Sequence, residues 1–571
     1  GEWHADWQTG ELAFRPPGGN LEDGDVTIPV VENVVLLRGT AAAPIRHVTF
    51  TGFHFAHAEQ DGIILDGADQ CAVTACTFRH LGGVAVNAGF ARNAAKGVGN
   101  AWRRGPRPRT RIHSGDRSLC RGTPSTNCRI AGNDIDSVGS DGIILVGNAN
   151  TADNNHILRV GQYDMVCAGV TVYGDENRVS HNEIHDIPRD GVFVNGARNI
   201  VEYNAIRNSM LYTTDNSAIA LRQHNVARAV KDVGNVIRFN RILDTIGYGS
   251  YPHCGHPPKG VGSPFASWGI YLDGSICGVT VYGNVIARSG ANSMFIQFGG
   301  GNVVENNICV EPAEDVAYYS SVLFFGWFMH SDREGRFPQP SNQIRHNIFW
   351  YKGKERKLYS TGLWGHPEAH PDQAVFDRNL IWNGGSPVVV AMDPKHRYES
   401  LDAWRQGSGH DRNSVVADPL FVDMAGDDYR LRPDSPAYGI GFEDINAELD
   451  KVGPYASPQR ASWPLTNRTV PREVPLVFPY SKPPRPLVDG FELVRAGGVP
   501  MRAKVNDEGR GLIAITPDEP ASGRQCLRFV DAPDLQHPYN PHVEYRLPFP
   551  TGKLHFSIEV MNSAAAPADW Y

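Results

Sequence analysis

ARNIVEYNAI (197–206), VGNVIRFNRI (233–242), CGVTVYGNVI (277–286) and GGNVVENNIC (300–309) are four versions of one phrase: a short β-branched run, an Asn, and a second short apolar run. Between them lie DGVFVNG (190–196), SAIALR (217–222), WGIYLDG (268–274) and SMFIQFG (293–299). Asn182 to Asn204 and Asn284 to Asn306 are each 22 residues apart, a return in the range of repeat architectures. Alternation within each run is a strand pattern. A lone strand of this kind cannot bury its apolar side, and stacking one coil on the next does so, which makes a solenoid.

No unit has room for a helix, and the Leu offsets of leucine-rich repeats are missing. Two or three strands of about five residues per unit, with Gly, Asn or Asp at the corners, predict a right-handed parallel β-helix. Its coils would lie about 4.8 Å apart. Asn133, Asn182, Asn204, Asn240, Asn284, Asn306, Asn347 and Asn379 predict an internal corner ladder, because Asn tolerates the left-handed conformation and stacked amides bond from coil to coil.

The 571 residues include 60 Gly and 40 Pro, with 41% apolar and 20% charged, which suits a folded chain rich in turns. A net charge of −8 gives no general attraction to nucleic acid or anionic membrane. The nine Cys form no CxxC metal pattern, and an odd count leaves at least one thiol unpaired. No run of 18 apolar residues occurs, so no membrane span is expected. No signal peptide is visible, and the abrupt opening GEWHADW reads as processed or trimmed.

The organisation follows. Residues 1–42 read as an N-terminal β cap over the open end of the solenoid. Residues 43–450 read as the β-helix, interrupted at 90–126, which carries RRGPRPRTR (103–111), and at 247–267, rich in Gly, Pro, Tyr and His. DPLFVD (418–423) and DYRLRPDSPAYGIGF (428–442) read as its closing turns and C-terminal cap. Residues 451–485 are a Pro-rich belt or linker. Residues 486–571 alternate as antiparallel strands, part of a β-sandwich-like domain.

Side-chain alternation proposes a site. In WGIYLDG, Ile270 and Leu272 point inward, so Tyr271 and Asp273 point outward. The same reading of neighbouring strands gives an outward column of Asn195, Arg222, Asp273 and Gln297, with Phe193, Tyr271 and Phe295 beside it. Trp268 lies where the 247–267 insertion rejoins the strand. Aromatic faces beside Asp, Arg, Asn and Gln suit a polysaccharide: rings cover the apolar faces of sugars and polar groups fix their hydroxyls. Glycoside hydrolysis usually needs two carboxylates about 5–10 Å apart. Asp273 is the first. Asp215 in LYTTDNSAI, one coil earlier, is the provisional second; straight register puts it too far from Asp273 unless residues 211–216 fold over the face. Asp244 in NRILDTIG and Asp190 in PRDG are the other options, and His224, His253 and His256 are candidate positioning groups or bases. No Rossmann fingerprint, P-loop or HExxH occurs, so no cofactor is expected. No 12-residue calcium loop is present, although corners rich in Asp and Asn leave room for a structural calcium ion.

GEWHADWQTGELAF, GVTVYG, NRVSHNEIHDIP, TTDNSAI, WGIYLDGSICGVTVYGNVI and DPLFVDMAGDDYRLRPDSPA together span most of residues 1–445. On these phrases the chain resembles right-handed β-helix carbohydrate-active proteins. It is most like glycoside hydrolase family 141, with α-L-fucosidase and xylanase activities, and more distantly family 120 β-xylosidases. The resemblance implies a bacterial, secreted or periplasmic glycoside hydrolase whose partner is a poly- or oligosaccharide, fucose- or xylose-containing among the options. It places the family-120 nucleophile at Asp273 and an acidic family-141 position at Asp215. The chain departs from both patterns: the family-120 acid falls at Gln297, and Gly274 stands where a second acidic residue often follows Leu-Asp. In this reading Arg222, Gln297 and Asn195 fix the substrate and Tyr271, Trp268 and Phe295 stack on it. The alternatives are a polysaccharide lyase, with Arg222, Tyr271 and His224 as its neutralising and basic groups, and a non-catalytic carbohydrate-binding solenoid.

Overall fold

In the computed structural model, residues 2–6, 9, 11–15, 27–89, 122–222, 233–248, 264, 266–274, 276–297, 299–312, 321–326, 341–353, 356–362, 374–393, 396–463, 491–492, 494–500, 503–520, 523–530, 532–536 and 540–545 are described. The insertions expected at 90–126 and 247–267 fall largely outside them, as do His224, His253 and His256. The chain divides into two units, Gly1–Pro475 and Leu476–Tyr571.

The first unit is a parallel β-helix. Three sheets of 13, 11 and 12 strands run along it, and each coil contributes one strand to each sheet. One face carries the longer strands, such as Asp190–Asn195, Asn216–Arg222 and Ser267–Asp273. The other two faces carry mostly three-residue strands, for example Ile200–Glu202 and Glu183–His185. The first rung of the long face, Val35–Arg38, pairs in parallel with Ile63–Asp66, so the solenoid begins inside the stretch expected to be only a cap. Ahead of it, Glu2–Asp6 and Glu11–Arg15 form an antiparallel pair.

Between the two short faces the chain turns through one residue of positive φ and then an Asn. Gly132, Asn154, His181, Tyr203, Phe239, Gly283, Asn306, His346 and Arg378 have φ between 53° and 66°. The Asn that follows each of them is buried, and its Oδ1 accepts the backbone N–H of its counterpart one coil back at 3.0–3.1 Å, from Asn133 through Asn155, Asn182, Asn204, Asn240, Asn284, Asn307 and Asn347 to Asn379. The expected ladder exists, with two corrections. Its members are not the left-handed residues, which stand one place earlier. Asn307 rather than Asn306 is the rung; Asn306 faces outward. A second Asn ladder, Asn150–Asn177–Asn199–Asn235 and Asn302–Asn342, lines the corner after the long face.

Each ladder amide is surrounded by backbone. Asn204 donates to Val179 O at 2.9 Å and to Asn240 Oδ1 at 2.9 Å, and accepts from Asn182. Asn204→Ala leaves several of these buried groups without partners, and it should lower unfolding free energy by about 3 kcal/mol. Urea denaturation followed by far-UV circular dichroism reads the loss as a lower midpoint.

The Gly that opens many long-face strands has a steric cause. A Cβ on Gly191 would lie 2.8 Å from Ile206 Cγ2, and one on Gly142 2.7 Å from Ile157 Cγ2. Gly and the residue after it both lie on the inner side, so alternation breaks there and the residue before Gly is thrown outward. In the Asp-Gly cases that Asp then caps the next coil. Asp61 accepts from Val84 N at 2.8 Å and Asp141 from Ala168 N at 3.1 Å.

The closing elements differ from expectation. Helix Leu401–Ser408, which the strand reading missed, buries Leu401 and Trp404 in the main core. Ser400 caps its start by accepting from Ala403 N, and Gly409 at φ 79° ends it. The hairpin Phe421–Asp423/Asp428–Leu431 does not close the end. Tyr429, Leu431, Ile440 and Phe442 pack instead with Ile308, Val310 and Ile348 of the third face, in a cluster separate from the main core. From there the chain returns along the corners of the solenoid: Glu443 N bonds Asn306 Oδ1 at 2.7 Å, Gly453 N bonds Tyr203 O at 2.7 Å, Tyr455 N bonds Asn154 Oδ1 at 2.9 Å and Ala461 N bonds Gly132 O at 2.6 Å. The outward left-handed residues are this strap's seats. His181, Tyr203 and Phe239 stack in a row beneath it, with centroids 4.9 and 5.3 Å apart.

In the second unit, Ala503–Asn506 pairs antiparallel with His542–Tyr545, and Ile513–Thr516 with Cys526–Phe529. Cys71, Cys76, Cys128, Cys167 and Cys309 are buried free thiols, and Cys526 is a partly exposed one. Among the described residues no helix is long and apolar enough to cross a membrane.

Candidate functional site

The long face sets Arg222 opposite Asp273 on adjacent strands, and the same register continues from Leu272↔Ile296 to Gln297 and from Val194↔Leu221 to Asn195. Asp273 shares its side of the strand with Tyr271, outside the main core that holds Ile270 and Leu272. Arg222 Nε lies 2.8 Å from Asp273 Oδ2, with the two side chains 31% and 11% exposed. The pair is therefore partly desolvated and reached from the guanidinium side. Tyr271 donates its hydroxyl to Gln297 Oε1. The polar column expected from alternation lies in one row, one group per coil, but Asn195 and Gln297 are buried at 2% and 7% exposure, so these two amides do not present an open surface to a substrate.

The aromatic platform is not open. Trp268, Phe295 and Phe324 are at most 1% exposed and Tyr271 is 4% exposed. With Ala266 and Ala291 they form an apolar cluster on the outer side of the sheet. The Tyr271 and Phe295 rings stack at 4.7 Å, and Trp268 lies 4.8 Å from Phe295 with its Nε1–H donated to Asn292 Oδ1 at 2.9 Å. Phe193 is likewise buried, beside Ala168 and Ala220. On this face an outward side chain is not an exposed one, because parallel sheets are characteristically buried on both sides. Trp268 also reached this side against simple parity. Gly269 faces the core, where a Cβ would lie 2.3 Å from Ile286 Cγ2, and Ile270 faces it too, so the alternation breaks between Gly269 and Ile270. None of these rings can stack on a sugar in this arrangement.

The competing carboxylates do not come to Asp273. Asp215 N bonds Ala266 O at 2.9 Å, so Asp215 stands at the opposite end of the long face. Seven residues of extended strand separate that end from Asp273, about 20 Å, well beyond the 5–10 Å that a two-carboxylate hydrolase uses. Asp244 is on the third face, clasped by Arg288 Nε at 2.6 Å, and Arg288 also holds Asp427 of the returning hairpin. Its work is to tie the hairpin down.

Asp190 is wholly buried at the start of its strand, in the place Asp61 and Asp141 occupy in their coils. Asn216 Nδ2 donates to its Oδ2 at 2.9 Å, and Arg189 Nε is 3.8 Å away. Burial pushes its carboxyl up to about 7, against the pull of Arg189. A raised carboxyl suits an acid catalyst, but full burial at a repeated capping position makes it a structural group.

One further group was not anticipated. On the third face His156, Glu183 and His185 converge, with their ligand-type atoms within 4.8 Å of one another. The signal was present in NNHILRV and SHNEIHD, where outward positions of adjacent coils carry these residues. It lies outside the long-face column.

No family model matches the chain. An uncharacterized protein of Bacillus subtilis strain 168, YwoF, is 38% identical over 61 residues, about a tenth of each chain at 11%. Among solved structures, one titled a glycoside hydrolase superposes with a TM-score of 0.39 at 16% identity, over 54% of this chain and 56% of its own, so the chain spans little more than half of it. A PL6 family polysaccharide lyase from Pseudopedobacter saltans gives 0.37 at 10% identity, over 72% of this chain and 99% of its own.

Proposed function

We propose that the chain is a carbohydrate-active enzyme that takes a poly- or oligosaccharide across the Arg222–Asp273 end of the long face, and that its reaction is hydrolysis of a glycosidic bond. The observation that carries this reading is the 2.8 Å Arg222–Asp273 pair on the outer side of adjacent coils, in line with the amides of Asn195 and Gln297. Of the row, Arg222 keeps the most solvent exposure, its side chain 31% exposed against 11% for Asp273, while Asn195 and Gln297 are 2% and 7% exposed, so a glycan would meet the Arg222–Asp273 pair, with the two amides packed beside it. Arg222 orients the Asp273 carboxylate, the group that such a reaction uses as nucleophile or base.

A second reading, β-elimination on a uronate, is favoured by one fact: Asp215, Asp190 and Asp244 all lie away from Asp273. A lyase needs a cation to neutralise the uronate carboxylate and a base, not a carboxylate couple, and Arg222 supplies the cation.

Products separate the readings. Incubation with fucosylated, xylose-containing and uronate-containing glycans is expected to release reducing ends without an unsaturated chromophore. Reducing ends that appear together with near-ultraviolet absorbance would move the assignment to the lyase. Binding without turnover across the panel would leave a carbohydrate-binding solenoid.

A further inference from the structure

His156 and His185 stand on adjacent coils of the third face, His156 being the register partner of Glu183, two residues before His185. Their Nε2 atoms are 2.9 Å apart. Each ring is oriented from behind by a carboxylate: His156 Nδ1 is 3.0 Å from Asp134 Oδ1, and His185 Nδ1 is 2.7 Å from Asp186 Oδ2. An ionised carboxylate only accepts hydrogen bonds, so both Nδ1 atoms carry their hydrogens. Each neutral ring then presents a lone pair at Nε2, and the two lone pairs face each other. Two lone pairs at this distance repel unless a cation sits between them. Turning either ring over would forfeit its carboxylate bond.

Glu183 supplies a carboxylate to the same point. It is 2% exposed and His185 6% exposed, so little water is available to relieve the juxtaposition. Arg207 Nη2 is 3.7 Å from Glu183 Oε1, and Arg79 pairs with Asp134, which keeps the surrounding charge near balance. The strap lies over the group: the Trp463 ring stacks on His156 at 5.7 Å, and the Arg460 guanidinium lies 3.9 Å above Trp463.

We propose that His156, Glu183 and His185 bind one divalent transition-metal ion of the zinc class, which pins two adjacent coils beneath the returning strap. Two imidazoles and one carboxylate are a donor set for Zn²⁺ and its neighbours, whereas Ca²⁺ and Mg²⁺ take oxygen throughout. The Asp134 and Asp186 contacts are the carboxylate–histidine support that metal-binding imidazoles ordinarily have. Metal–nitrogen bonds of about 2 Å at a tetrahedral angle set the two nitrogens about 3.3 Å apart, a small opening of the present geometry. The site is independent of the glycan reading, because it lies on another face.

The test uses the full chain, stripped with a chelator and titrated with Zn²⁺ against a chromophoric competitor, and in parallel with Co²⁺. One equivalent of Zn²⁺ per chain, a cobalt ligand-field band in the visible and a melting temperature raised by a few degrees are expected. His156→Gln and Glu183→Gln should abolish the band, Asp134→Asn should weaken Zn²⁺ binding by about tenfold, and His57→Gln, an exposed imidazole elsewhere, should change nothing. A folded wild-type chain that gives no band and takes up no Zn²⁺ at micromolar free metal overturns the proposal and leaves a shared proton as the cation between the rings. So does binding that His156→Gln and Glu183→Gln leave intact. The wild-type cobalt spectrum decides the matter even if a variant fails to fold.

Discussion

Asp273→Asn is expected to lower turnover on the responsive glycan by about 1,000-fold or more. The change removes a charge and keeps the volume. Asp273 lies outside the main core, at the end of its strand, so the coil has no packing reason to rearrange. Arg222 keeps part of its hydration at 31% exposure, so losing the partner should cost only about 1 kcal/mol of stability. Circular dichroism and melting temperature should therefore match wild type while kcat collapses. Turnover within tenfold of wild type would remove Asp273 from the reacting centre, and the catalytic reading of the row would go with it. Arg222→Lys sharpens the result. It retains the charge but loses the planar fork, so a fall in kcat shows that orientation of Asp273 matters, beyond the charge beside it.

Asp190→Asn is expected to stabilise the protein at neutral and alkaline pH by up to about 4 kcal/mol. The sign follows from the raised carboxyl. Between about pH 4, where the unfolded chain loses this proton, and about 7, where the folded chain does, the native state holds the extra proton. Wild-type stability therefore falls as pH rises through that window, since ionisation must occur in a site that burial makes hostile to charge. Asn keeps the shape and an oxygen for the Asn216 bond and removes the titration. Chemical denaturation of the two proteins should converge near pH 4 and separate progressively to pH 8. Parallel curves across that range would show that the carboxyl is ionised throughout and held by Arg189, 3.8 Å away.

The two predictions treat two aspartates on the same face in opposite ways, and sequence gave no means of telling them apart. DGVFVNG and WGIYLDG each offer an Asp beside an alternating run. The first Asp precedes the Gly at which alternation breaks, where the fold repeatedly uses a carboxylate to cap the next coil. The second follows the run and ends on the outer side, within reach of Arg222. Only pairing between coils distinguishes these positions.

Asn306 and Asn307 teach the same lesson at one-residue resolution. Both occur in VENNIC, and either fits an amide ladder. The left-handed residue must precede the stacked one, because the chain has to reverse before the amide can point inward. Asn306 thereby becomes a seat for the strap at Glu443. The Leu401–Ser408 helix was overlooked for a different reason. Its caps, Ser400 and Gly409, are visible in the sequence, but eight residues give a weak helical period beside some 350 residues of strand signal.

What the sequence determined by itself was the solenoid, its parallel stacking, its Asn-lined interior and the row Asn195, Arg222, Asp273 and Gln297, because each is a consequence of local alternation repeated at a nearly constant interval. The tertiary structure decided that the outward rings of the long face are buried and that residues 211–216 do not carry Asp215 across to Asp273. These depend on contacts between coils separated by insertions of unequal length and on a strap that doubles back along the corners. Periodicity along the chain carries no record of such contacts, since covered and bare outward side chains alternate in the same way.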